Sequence, residues 1–127
     1  MTRQQPPTVV LIFKVCDAAA WAAALREGFY TGSADDHRDG YIHFSSAGQV
    51  EGTLAKYFRG RADLVLLAVP AAALGDHLKF EPSRGGELFP HLYGSLPAAS
   101  VAWQQPVRLG VDGRHVLPDL AAASAPL

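Results

Sequence analysis

The chain predicts an α+β fold: one domain with a mixed or antiparallel β-sheet and two main helices. Three observations carry this reading. Residues 9–13, within a strand expected at 9–15, and 64–69 are short, continuous apolar runs rich in branched side chains, as buried strands are. Two segments, 18–25 and 50–58, space their apolar residues for helices. Strand-like segments outnumber these helices and do not alternate with them regularly, which argues against a βαβ succession.

Residues 1–8 are polar and end in proline, an expected flexible tail, with the domain itself over 9–118. The run 9–15 is placed near the sheet centre. Asp17 follows, where its carboxylate can cap a helix. Ala18, Trp21, Ala22 and Leu25 form that helix's apolar stripe, and Gly28 its left-handed stop. A short strand is expected at 29–31. A polar loop is expected at 32–40, which holds Asp35, Asp36, His37, Arg38 and Asp39. Residues 41–45 form the second clear strand.

Ser46 and Gln49 then make a serine-x-x-glutamine capping box. Val50, Leu54, Tyr57 and Phe58 supply the stripe of the helix they open, and Gly60 stops it. After the strand at 64–69, Pro70 opens one helical turn at 70–74. A strand at 78–81, a turn at 82–86 and a returning strand at 87–89 come next. A strand at 100–104 and a hairpin over 107–117 about Asp112-Gly113 complete the domain. Residues 119–127 are a second expected tail.

At 127 residues and 49% apolar composition, the chain can bury one core. Its formal net charge of −1 gives no broad attraction to nucleic acid or to anionic lipid. The expected partner is therefore a small-molecule ligand, with no membrane or nucleic-acid role and the oligomeric state left open. The apolar runs are too short to span a bilayer, and no secretion signal opens the chain. A single cysteine, Cys16, excludes an internal disulfide framework and fits the reducing cytoplasm. At a strand-to-helix junction that thiol is either an inert buried group or a stabilised thiolate. There is no glycine-rich phosphate loop, dinucleotide fingerprint or serine nucleophile elbow. The histidines lack paired zinc spacing, so no metal is expected; a long-range pair of His43 and His91 is the one arrangement left for it.

The chemistry-bearing residues fall in two segments. In the strand 41–45, alternation puts Tyr41, His43 and Ser45 on one face and Ile42 and Phe44 on the apolar one. In Leu88-Phe89-Pro90-His91-Leu92-Tyr93-Gly94, proline holds Phe89 extended, so His91 and Tyr93 share a face. His43 is either a half-buried histidine satisfied by a carbonyl or a ligand-orienting or acid–base group. His91 is either a turn residue or a side chain held in fixed geometry by its proline and glycine brackets. Glu81 can orient an imidazole or accept from a ribose hydroxyl; its other reading is a solvent-facing carboxylate. Tyr41 and Tyr93 can stack on a heterocycle or donate, or be core. Ser45, Ser46 and Gln49 stand at a helix start, where free amides cap or favour an anion. The candidate catalytic set is thus His43, His91, Tyr93 and Glu81; the candidate ligand-binding set is Tyr41, Ser45, Ser46, Gln49 and Phe89.

These segments carry a family resemblance. From about Phe13 to Leu109 the chain resembles the DUF952 family of uncharacterised bacterial and plant proteins. The likeness rests on Gly40-Tyr41-Ile42-His43-Phe44-Ser45 with Gln49, on Leu64-Val65-Leu66-Leu67, on Lys79-Phe80-Glu81 and on Phe89-Pro90-His91-Leu92-Tyr93-Gly94. More remotely, the order of elements is similar to the RNA 2′-phosphotransferase and ADP-ribosyltransferase fold, in which a split sheet holds NAD. That resemblance implies that His43 contacts the ribose on the nicotinamide side, with Ser45 beside it and His91 or Tyr93 lining the same cleft. It implies NAD or a related nucleotide as ligand and ADP-ribosyl or related group transfer as the reaction. The rival expectations are a non-catalytic ligand sensor on the same cleft and a domain acting through protein contacts.

Overall fold

The computed structural model describes residues 10–120 of the 127. Strand β1 (Leu11–Asp17) pairs along its whole length with β4 (Leu64–Pro70). The far edge of β4 carries β8 (Trp103–Leu109), onto which β9 (His115–Val116) folds back, giving the order β1-β4-β8-β9. A second sheet has β6 (Leu88–Leu92) between β3 (Ile42–His43) and β5 (Leu78–Pro82). A separate pair joins β2 (Phe29–Tyr30) to β7 (Leu96–Pro97). Every strand pairing among the described residues is antiparallel, so the fold is α+β as expected.

Both faces of β1 and β4 are covered, which is why their sequences read as apolar runs, interrupted within β1 by Lys14 before the closing Asp17. Leu11, Phe13 and Val15 join Leu64, Leu66 and Ala68 in one core. Ile12 and Cys16 join Val65, Leu67 and Val69 in another, with Trp21, Tyr30, Ile42, Phe44 and Leu92. Each buried Val, Leu, Ile or Phe among them contributes about 1.5–3 kcal/mol. By alternation Lys14 shares the face of Ile12 and Cys16.

The two main sheets meet at one place. Phe13 and Ser45 exchange two amide–carbonyl hydrogen bonds of 2.8 Å, and Phe44 N–H donates to Pro90 O at 2.9 Å. The first strand is therefore a seam between sheets, not the centre of one. Beyond this bridge the two segments part, and Lys14 and Val15 on one side face His43 and Phe44 on the other across a cavity.

Several local expectations are revised. In α1 (Ala18–Glu27) the buried stripe is Trp21 and Ala24, while Ala22 and Leu25 face out. Asp17 makes no cap bond, because its carboxylate pairs with Arg61; Gly28 closes the helix at φ 92° as predicted. The polar loop expected at 32–40 contains a short helix, α2 (Ala34–Asp39), beside the two main ones. Its start is a capping box with aspartate in the usual glutamate position: Asp36 N–H donates to Ser33 Oγ, and Ser33 N–H to Asp36 Oδ2.

The third helix, α3 (Val50–Tyr57), begins three residues later than the Ser46–Gln49 box predicts. The Ser46 hydroxyl caps no amide of α3 among the described residues. Instead Gln49 Oε1 accepts from Ser46 N–H at 3.0 Å, and Gln49 Nε2 donates to Leu88 O at 2.9 Å, tying the helix start to β6. Val50 and Leu54 are buried, but Tyr57 is exposed. Regular pairing in the strand expected at 41–45 covers only Ile42–His43, with Ser45 in the bridge. Pro70 ends β4, and the turn after it is a 3₁₀ segment at 71–77 broken at Gly75. The strand expected at 100–104 and the first arm of the hairpin are one element, β8, with Ser100 in a 3₁₀ turn before it. The tails expected at 1–8 and 119–127 lie outside the described residues, except Asp119 and Leu120; Leu120 is buried in the core of Leu11 and Phe13. No helix among the described residues is long and apolar enough to cross a membrane.

Candidate functional site

The parting of the sheets leaves a cavity of about 200 Å³. Its walls come from β1 (Lys14), α2 (Asp36, Asp39), the segment around β3 (Tyr41, His43, Ser45), α3 (Thr53), the turn before β6 (Arg84) and β6 itself (Phe89, His91). Register brings the histidines together: His43 is the direct partner of His91 in the β3–β6 pair. Their rings lie 5.6 Å apart at 71°. Tyr41 stacks on His91 with centroids 4.0 Å apart and planes 25° apart, and lies 4.6 Å from His43 and 5.3 Å from Tyr93.

His91 is 2% exposed. Its Nδ1–H donates to Glu81 Oε1 at 2.8 Å, and the Tyr93 hydroxyl donates to the same oxygen at 2.7 Å. Register explains this contact: β5 and β6 run side by side, so Glu81, opposite Phe89, lies one pleat from His91. The hydrogen bonds from His91 and then Tyr93 lower the Glu81 carboxyl below its ordinary value, and the same bond to Glu81 raises the Tyr93 hydroxyl. His91 Nε2 is buried and has no hydrogen-bond partner among the described residues. A buried polar atom left unpaired costs free energy unless something offsets it.

His43 is held differently. Its Nδ1–H donates to Asp36 Oδ1 at 2.6 Å, and its Nε2 lies 2.9 Å from Asp39 Oδ2. Both ring nitrogens are occupied by carboxylates, so a ligand reaches Nε2 only by displacing Asp39. Asp36 is the hub of the network. The Lys14 ammonium sits on both its oxygens, at 3.1 and 2.9 Å, and His43 N–H donates to Oδ1 at 3.1 Å. Burial pushes this carboxyl upward, but the His43 bond, the Lys14 charge and the Ser33 amide together outweigh it and hold it well below the carboxylate range. Burial pushes the Cys16 thiol up to about 12, which makes it the inert group of the two readings.

Of the residues singled out in the sequence, His43, His91, Tyr41, Ser45 and Phe89 line the cavity, and Glu81 and Tyr93 stand behind His91. Ser46 and Gln49 do not line it; Gln49 serves the junction of α3 and β6. Lys14, Asp36, Asp39, Thr53 and Arg84 were not singled out. A lysine inside an otherwise apolar strand was the signal for Lys14, and Ser33-x-x-Asp36 the signal for Asp36. Nothing local marks Thr53 or Arg84. No group of three histidine, cysteine or acidic side chains among the described residues is arranged to hold a metal ion.

The model of a family described as a protein of unknown function, DUF952, matches residues 15–104. The chain belongs to that family. A crystal structure of protein CC0527 from Caulobacter crescentus is similar at 48% identity and a TM-score of 0.84, over 88% of this chain and 98% of that one. The solution NMR structure of CC0527 is similar at 49% identity and a TM-score of 0.75, over 82% and 90%. No curated protein matches the chain. Both histidine segments of this DUF952 member lie inside the matched span.

Proposed function

We propose that the cavity binds a nucleotide, with NAD or a related dinucleotide as substrate, and transfers its ribosyl group to an acceptor. One observation carries the reading: His91 lines the cavity, is oriented by a carboxylate through Nδ1, and keeps a buried Nε2 with no partner among the described residues. That is the arrangement of a general base, with Glu81 stabilising the imidazolium that forms. In the proposed step the bond between ribose C1′ and the leaving base breaks, and its electron pair departs with the base. An acceptor oxygen bonds to C1′ and gives its proton to His91 Nε2. Tyr41 offers a stacking face and Ser45 a hydroxyl.

The volume limits what enters. About 200 Å³ is below the roughly 300–1,000 Å³ of pockets for drug-sized ligands. A ribose with its adjoining ring occupies the cavity, and the rest of a dinucleotide lies over the rim. The double engagement of His43 by Asp36 and Asp39 favours a second reading, a non-catalytic ligand sensor in which binding displaces Asp39.

Unfolding measured with NAD, ADP-ribose and nicotinamide, together with chromatographic assay of nicotinamide release from NAD, tests both. A ligand at a hundred times its dissociation constant adds about 2.7 kcal/mol of stability. His91→Asn is expected to slow release by about 100-fold or more while changing NAD affinity by less than tenfold. Binding without release, weakened by His43→Asn, establishes the sensor. A protein neither stabilised by nor consuming any of the three overturns both readings.

A further inference from the structure

We propose that Arg84, seated on Thr53 and over Phe89, forms a phosphate subsite at the rim of the cavity, and that it takes the diphosphate of the dinucleotide. This deepens the reading of the site given above. The first observation is charge accounting along the wall. Asp36 is paired with Lys14, and Asp35 and Asp39 are paired with Arg38. Arg84 is the lining cation with no carboxylate partner among the described residues. It is also half-buried, so its charge is partly removed from water and is worth more to an incoming anion than a solvated one.

The second observation is that the guanidinium is held in place. Nη1–H donates to Thr53 Oγ1 at 3.3 Å, and Thr53 Oγ1 lies 2.9 Å from Ser45 Oγ. The guanidinium carbon stands 4.9 Å from the centre of the Phe89 ring, a cation–π seat. Gly52 leaves room for it: a Cβ there would sit 3.0 Å from Arg84 Nη2. A planar fork fixed by a ring and a hydroxyl, with donors still free, is suited to bidentate contact with phosphate. The third observation is the neighbourhood. Phe89 and His91 share a face of β6, and Arg84 lines the same cavity as both. A diphosphate at Arg84 would leave its attached ribose within the cavity beside His91.

Calorimetric titration of the whole protein with inorganic pyrophosphate and with ADP-ribose tests this. Wild type is expected to bind both, and Arg84→Gln to weaken both by about 10- to 100-fold, the loss of a charge-assisted pair. Gly52→Val approaches the same guanidinium from the exposed surface of α3 and is expected to weaken pyrophosphate several-fold at unchanged stability. Pyrophosphate binding by Arg84→Gln within twofold of wild type overturns the subsite, as does failure of wild type to bind pyrophosphate. Pyrophosphate binding that depends on Arg84, without binding of ADP-ribose or NAD, leaves the subsite standing and removes the dinucleotide reading. ADP-ribose binding indifferent to Arg84→Gln does the reverse.

Discussion

Asp36→Asn is the sharpest test of the network beneath the site. Every contact to the carboxylate comes from a donor: Oδ1 accepts from Lys14 Nζ, His43 N–H and His43 Nδ1–H, and Oδ2 from Lys14 Nζ and Ser33 N–H. An amide replaces one acceptor by an NH₂ group, and in either orientation that group faces at least two donors. The change also leaves the Lys14 ammonium, 7% exposed, without its counter-charge. Removing one partner of a buried ion pair costs about 3–5 kcal/mol. Against a total of roughly 5–15 kcal/mol that is a large fraction. For a chain of this length it lowers the melting temperature by about 10–20 °C. Urea unfolding at pH 7 reads the difference directly. The pH dependence has a definite sign. The folded carboxyl is lowered, so its contribution is complete above the unfolded value near 3.9 and is lost as pH falls toward the folded one. The stability gap between wild type and Asp36→Asn is therefore level from about pH 5 to 8 and narrows below about pH 4. A gap under about 1 kcal/mol at pH 7, or one that widens in acid, refutes the buried-pair argument.

Three further outcomes follow from particular contacts. Glu81→Gln keeps an acceptor for His91 Nδ1–H but removes the charge, so nicotinamide release should fall about 10- to 100-fold with stability within about 1 kcal/mol of wild type; unchanged release would detach Glu81 from the chemistry. The folded protein at pH 8 should resist a thiol reagent, since burial holds Cys16 protonated, with modification appearing only on adding denaturant; labelling at the rate of a free thiol contradicts this. Leu67→Ala empties a fully buried position in the core of Trp21 and Leu92 and should cost about 2–5 kcal/mol in urea unfolding, with under 1 kcal/mol pointing to a looser core.

What was legible in the sequence was what depends on near neighbours. The apolar runs of β1 and β4 declared themselves because both faces are buried, with only Lys14 interrupting the first before its end. Tyr41 with His43, and His91 with Tyr93, were placed on common faces by strand period alone. The helix α2 was hidden because its six residues carry no apolar stripe; only Ser33 and Asp36 mark it, through a box whose aspartate also serves the interior. The Ser46–Gln49 box misled for a tertiary reason. Gln49 spends its amide on the Leu88 carbonyl, and only the half of the box that caps Ser46 N–H survives. Thr53 and Arg84, 31 positions apart, meet only because the turn before β6 folds against α3. No local pattern encodes that contact.

The single bridge at Phe13–Ser45 explains why the site lies where it does. Had pairing continued past it, Lys14 would stand opposite Phe44 and Val15 opposite His43, and the ladder would close the space the cavity occupies. Because the strands part, Lys14 has no cross-strand neighbour on that side and reaches Asp36 on α2. His43 in turn is free of a second ladder partner and bends onto the same carboxylate, while its other neighbour, β6, sets His91 opposite it. The buried ion pair is thus more than a stabilising contact. It gives the charged residue of an otherwise apolar strand a partner at the mouth of the split. Replacing Lys14 and Asp36 together by methionine and leucine removes the unpaired ammonium but leaves Ser33 N–H, His43 N–H and His43 Nδ1–H without their acceptor, so it should recover at most part of the stability lost in Asp36→Asn. It should also abolish binding at the site, because His43 then loses the carboxylate that positions it. Stability recovered together with full binding would show that the split does not depend on that pair.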